Sequence, residues 1–120
     1  MTSEPTRIFI VDDEALIAFE MADALEDLGF EVVGPSTHLK DALGMAKEEE
    51  FDVACLDVNL GAGKTSEPIA RVLAERGIPY VYITAYEEHQ IKFLQPDDKV
   101  VRKPVSISDL KQALIRVQAE

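Results

Sequence analysis

The chain has 120 residues, of which 47% are hydrophobic and 29% charged, enough apolar content for one packed domain and too much for a disordered chain. Twelve basic residues against 23 acidic ones leave a formal charge of −11, so the surface should repel nucleic acid and anionic lipid, which argues against direct DNA or membrane binding. No apolar run approaches the roughly 20 residues of a membrane span, the start Met1-Thr2-Ser3-Glu4-Pro5 lacks a signal peptide's apolar segment, and the single Cys55 lies in a strand-like run as a reduced core thiol, so a cytoplasmic location is expected.

After a polar tail at 1–6, the run 7–11 reads as a buried strand that ends at Asp12-Asp13. Residues 15–28 come next with Leu16, Ile17, Met21, Leu25 and Leu28 at helical spacing, and Gly29 as the stop. A second strand is predicted at 31–34, closed by Pro35. Thr37 is placed to cap a helix through about 49 that packs Leu39, Leu43, Met45 and Ala46. The apolar run 53–56 is the third strand, ending on Asp57.

The glycine-containing loop 60–65 leads to a helix at 66–76, with Pro68 in its first turn and Gly77 at its end. Residues 78–84, with Val81, Ile83 and two tyrosines, form the fourth strand. Residues 85–93 make a poor, short helix, broken by Gln95-Pro96-Asp97-Asp98, and should be the loosest part of the chain. A last strand at 100–102 precedes the capping-box pattern Ser106-Ile107-Ser108-Asp109, which opens a helix through 117 with Leu110, Ala113, Leu114 and Val117 inward.

Strands and helices alternate throughout, and parallel neighbours need crossovers, so the expected fold is α/β: a flavodoxin-like, doubly wound, five-stranded parallel sheet in the order 2-1-3-4-5 with helices on both faces. In that order the carboxyl ends of strands one, three, four and five adjoin, the edge at which open α/β sheets bind ligands. Asp12, Asp13, Asp57, Thr84 and Lys103 would then share one pocket. Crowded carboxylates repel one another and a hard divalent cation relieves this, so Mg2+ is the expected cofactor. Asp57, alone on the central strand, is the natural nucleophile toward phosphorus. Lys103 can pair with a phosphoryl oxygen and Thr84 can hydrogen-bond another.

Taken singly, each part has a plainer explanation: a turn or helix cap for Asp12-Asp13, a solvated loop charge for Lys103, a satisfied turn for Thr84. Their joint placement at successive strand ends carries the argument. Ile10-Val11-Asp12-Asp13-Glu14, Cys55-Leu56-Asp57-Val58-Asn59, Ile83-Thr84-Ala85 and Arg102-Lys103-Pro104 resemble the motifs of the receiver domain of bacterial two-component response regulators, over essentially the whole chain. The resemblance implies a single receiver domain at 1–120, not an enzyme in its own right, in which Asp57 takes phosphate from a sensor histidine kinase. Asp13 and Asp57 would bind Mg2+ directly, Asn59 through its backbone carbonyl and Asp12 through water. Thr84 would be the switch hydroxyl and Lys103 the phosphate partner. Output would be binding of a downstream target protein, or relay to a histidine phosphotransfer protein.

Residues 79–86 further resemble the single-domain FAT GUY regulators, with Ala85 where Gly is usual. Val100 stands where many receivers carry the Tyr or Phe that rotates on activation, so Tyr86 or the weak helix at 85–93 is the expected moving part. A haloacid-dehalogenase-type aspartyl phosphatase uses similar groups. That fold, however, places its acidic pair late and needs a second Asp where this chain has Asn59. The remaining alternative is a receiver-like interaction module that is never phosphorylated. Gly63-Lys64-Thr65 lacks the first glycine of a P-loop, and His38 and His89 have no second ligand at metal spacing.

Overall fold

A computed structural model describes residues 4–119, so the first three residues of the expected polar tail lie outside the described residues. Five parallel strands, β1 (Arg7–Val11), β2 (Glu31–Ser36), β3 (Val53–Asp57), β4 (Tyr80–Thr84) and β5 (Lys99–Arg102), form one sheet in the order β2-β1-β3-β4-β5. Three helices cross between successive strands, α1 (Ala15–Asp27), α2 (Leu39–Glu48) and α3 (Glu67–Arg76), and α4 (Ile107–Ala119) follows β5. This is the doubly wound sheet that the alternation predicted.

The strands are apolar on both sides because both sides are covered. Side chains alternate across a strand, so Ile8 and Ile10 of β1 join Cys55, Val81 and Ile83 in a core under α1 and α4, where Met21, Leu25, Leu110 and Leu114 pack. Phe9 and Val11 point the other way, toward Leu56, Tyr82 and the α2 and α3 residues Ala42, Ala46, Ile69 and Leu73. Fully burying one such leucine contributes roughly 1.5–3 kcal/mol. The central strands β1 and β3 are thereby held rigidly from both faces. Their register sets Ile10 beside Cys55 and Val11 beside Leu56, and so fixes where the residues at the two strand ends lie.

Several local expectations are corrected. β2 does not stop at Gly34 but runs through Pro35 to Ser36. Gly34 has φ +91°, where a Cβ would meet the Ser36 nitrogen at 2.9 Å. The pairing with β1 shifts register there, and an edge strand tolerates both the bulge and the proline's missing N–H. Thr37 does not cap α2: His38 takes the cap position with no side-chain cap bond, and the Thr37 hydroxyl lies 3.0 Å from His38 Nδ1 instead. In α1, Leu16 is 73% exposed and Leu28 is exposed, while Ala18 and Ala22 are buried beside Met21 and Leu25. At about 100° per residue, Leu16 sits some 200° round the helix from Ala18, so the smaller residues take the inner face.

The predicted helix at 85–93 is only a 3-10 turn, Glu88–Gln90. Its apolar residues Ile91, Phe93 and Leu94 cluster at one end rather than repeating at helical spacing, and Ile91 alone is buried. The segment is pinned by Phe93 edge-on against Tyr82 at 5.6 Å, and by Asp98, which accepts from the Tyr80 hydroxyl at 3.3 Å and from the Gln95 N–H at 2.9 Å. At the start of α4 the Asp109 N–H donates to the Ser106 hydroxyl at 3.1 Å, as the capping-box pattern predicted.

Candidate phosphoryl and metal site at the carboxyl edge

Register delivers the acidic residues. Asp57 ends β3 and Asp12 comes directly after β1 on the neighbouring strand, while Thr84 ends β4 on the other side of Asp57. Lys103 comes directly after β5, its N–H donating to the Thr84 carbonyl at 2.8 Å. Asp12, Asp57 and Thr84 are buried, and Asp13 is exposed. Asp12, Asp13 and Asp57 each present a carboxylate oxygen within 4.8 Å of the others.

Lys103 closes the cluster. Its Nζ lies 3.5 Å from Asp57 Oδ2, 3.5 Å from Asp12 Oδ2 and 3.3 Å from Glu14 Oε1. Asp12 Oδ1 accepts from the Glu14 N–H at 2.9 Å, whereas Asp12 Oδ2 is buried with no hydrogen bond. Thr84 Oγ1 accepts from the Tyr86 N–H at 3.0 Å, which orients the hydroxyl and leaves its own proton available to donate. Asn59 is half-buried and pairs with Thr65 in an isolated antiparallel bridge. That bridge folds the loop back over Asp13, so a Cβ on Gly61 would lie 3.5 Å from Asp13 Oδ2.

This crowding sets the electrostatics. Burial, then the Asp12 charge and the hydrogen bond with Asp13, push Asp57 up to about 8, against the opposing pull of Lys103. Burial of the Lys103 ammonium works to lower its pKa, but Asp57 and then Asp12 outweigh it and hold the lysine above its ordinary value. Burial likewise raises the Cys55 thiol, whose Sγ lies 3.7 Å from Met21 Sδ, which keeps it an inert core group. The pocket holds more negative charge than one lysine balances. An all-oxygen donor set with one buried carboxylate oxygen that makes no hydrogen bond fits a hard divalent cation.

The sequence-derived residues Asp12, Asp13, Asp57 and Lys103 meet in one pocket, with Thr84 at the adjoining strand end and Asn59 at the root of the flanking loop. Sequence reasoning missed Glu14 as a partner of Lys103, although it is the third acid of its run. His38 and His89 are exposed. Among the described residues no helix is long and apolar enough to cross a membrane.

A family model of the response regulator receiver domain matches residues 8–115. The chain is 29% identical over 113 residues to the transcriptional regulatory protein PdtaR of Mycobacterium tuberculosis, covering 92% of this chain and 55% of that one. It thus spans about half the length of the curated relative it matches. The solution structure of SdrG from Sphingomonas melonis Fr1 superposes with a TM-score of 0.82 at 34% identity, over 99% of this chain and all of that one. A response regulator receiver protein from Sinorhizobium medicae superposes with a TM-score of 0.84 at 26% identity, over 97% and 96% of the two chains. The order of the acidic pair and the central aspartate, the parallel sheet they edge and these relatives agree: the chain belongs to the response regulator receiver domains, the phosphoacceptor signalling domains of two-component systems.

Proposed function

We propose that Asp57 is the phosphoacceptor and that the chain signals by phosphorylation-dependent protein binding or by phosphorelay, taking its phosphoryl group from a sensor histidine kinase. The observation that carries this reading is the approach of Lys103 Nζ to Asp57 Oδ2, 3.5 Å, at the edge where Asp12 and Asp13 also present their oxygens. An oxygen of Asp57 attacks phosphorus, forming an O–P bond as the bond to the donor's leaving group breaks, and the leaving group departs with the electron pair. Lys103 offsets charge on one phosphoryl oxygen and the Thr84 hydroxyl donates to another.

Asp13, Asp57 and the Asn59 carbonyl would hold Mg2+, with Asp12 assisting through water. The ion supplies positive charge against the phosphoryl oxygens and the surplus of carboxylates. Asp57 must lose its proton to act as a nucleophile, and a cation in the pocket favours that loss.

The added charge, about −1.5 to −2, draws Thr84 and Lys103 inward. Thr84 is tied through its Oγ1 to the Tyr86 N–H, and Glu87, the next residue, is tied to Arg102 by an ion pair of 2.9 Å. The 85–98 segment therefore reads the pocket, and we assign it the change of order on phosphorylation. Incubation with acetyl phosphate and Mg2+, then intact-mass analysis, should show one phosphoryl group on the wild type and none on Asp57→Ala. No uptake by the wild type would refute the reading. Beryllofluoride with Mg2+ should change amide exchange across 85–98; unchanged exchange there would remove that segment from the mechanism.

A further inference from the structure

Lys103 is shared among three carboxylates, and one of them has no part in the metal set proposed above. Glu14 Oε1 lies 3.3 Å from Lys103 Nζ across 89 residues of sequence, nearer than either Asp12 or Asp57 at 3.5 Å. Glu14 occupies the N-cap position of α1, where an acidic side chain ordinarily accepts from the first turn's N–H groups. Its carboxylate makes no such bond, and it turns to the lysine instead.

We propose that Glu14 is a positioning residue that holds the Lys103 ammonium at the pocket mouth in the resting protein and so restrains phosphoryl uptake at Asp57. The inference rests on the reading of Asp57 as phosphoacceptor. An ammonium has three donors, and here three carboxylates surround it. For the lysine to stay beside Asp57 while a phosphoryl oxygen arrives there, either Asp12 or Glu14 must give way. Asp12 is a poor choice, because its Oδ2 is buried and has no hydrogen bond to fall back on. Glu14 is 58% exposed at its side chain, so water replaces the lysine at little cost when the pair breaks. The lysine therefore trades Glu14 for phosphate. Removing the Glu14 charge removes the competitor and so speeds phosphorylation through Lys103.

The test is a double-mutant cycle of Glu14→Gln and Lys103→Met, with phosphorylation by acetyl phosphate and Mg2+ monitored by intact mass. Asp57 gains the O–P bond, the acyl phosphate's P–O bond breaks and acetate leaves. Glu14→Gln, which keeps the side chain's shape, should raise the initial rate about three- to tenfold at low salt. In the Lys103→Met background the same change should alter the rate by less than about twofold. Equal acceleration in both backgrounds would make Glu14 a mere surface charge, and no acceleration in the single variant would remove its role; either result overturns the proposal. A wild type that takes up no phosphate would refute the phosphoacceptor reading itself, a different outcome from either of these.

Discussion

Asp57 makes the pocket a stability liability whose size depends on pH. With its acid form favoured up to about 8 in the folded protein and a carboxyl value of about 4 in the unfolded chain, the native state holds one more proton across that interval. Stability then falls as pH rises through the interval, and the penalty is fully present above the folded value. Each pH unit is worth up to about 1.4 kcal/mol, so lowering the pH from 8 to 5 should stabilise the metal-free protein by at most about 4 kcal/mol. Water at the mouth screens part of this, so about 2 kcal/mol is the lower figure. For a domain of this size that corresponds to a rise of about 6–15 °C in Tm. The net charge of −11 acts in the same direction, so the measurement compares wild type with Asp57→Asn, by urea and thermal unfolding in EDTA. The asparagine variant's advantage over wild type should grow by about 2–4 kcal/mol between pH 5 and pH 8. A difference that is constant with pH, or that grows toward acid, would refute the argument.

The same pocket and the helix ends behind it yield two further outcomes. Mg2+ at about one hundred times its Kd should stabilise the wild type by about 2.7 kcal/mol in thermal unfolding at pH 8, and Asp13→Asn should lose most of that gain. Equal gains in both proteins would take Asp13 out of the metal set. Arg76 donates to the Ala46 carbonyl and, at 2.9 Å, to the Glu49 carbonyl, and it covers the Phe51 ring at 5.5 Å, tying the ends of α2 and α3 together. Arg76→Ala should cost about 1–3 kcal/mol in urea unfolding, and lysine should restore only part of it, having no planar guanidinium to lie over the Phe51 ring.

The fold was legible because its strands are buried on both faces, and such runs end abruptly where the chain meets water. Val11 to Asp12 and Leu56 to Asp57 are transitions of this kind, and the alternation of elements supplied the order in which those ends come together. The same reasoning misjudged features set by tertiary context. Leu16 satisfies a helical spacing that the core does not use, since Ala18 and Ala22 let α1 approach the sheet. Thr37 could cap a helix, but the chain placed the cap one residue later. Pro35 looked like a stop because a proline forbids a central strand, whereas β2 lies at the edge. Glu14 was hidden for a different reason: its partner lies 89 residues away, and no periodicity encodes a contact between two loops.

Val100 bears on how a change at Asp57 leaves the pocket. It is half-buried beside Tyr82 and has no ring to swing and no polar atom to track the charge. Of the nearby aromatic residues, Tyr82 is buried against Phe93 and Tyr80, while Tyr86 is about half exposed and tied to Thr84 only through its N–H. What connects Thr84 to the surface is therefore backbone, through the Tyr86 N–H and then the Glu87 ion pair to Arg102. That pair is exposed at both ends and contributes only about 0–1 kcal/mol, and beyond it the segment has only the Glu88–Gln90 3-10 turn to stiffen it. A small displacement of the Thr84 hydroxyl thus meets a weak tether before it reaches the buried anchor at Ile91. Removing the tether with Arg102→Ala should leave phosphate uptake by Asp57 intact while raising amide exchange at 86–90 in the unphosphorylated protein. Unchanged exchange there would place the coupling elsewhere.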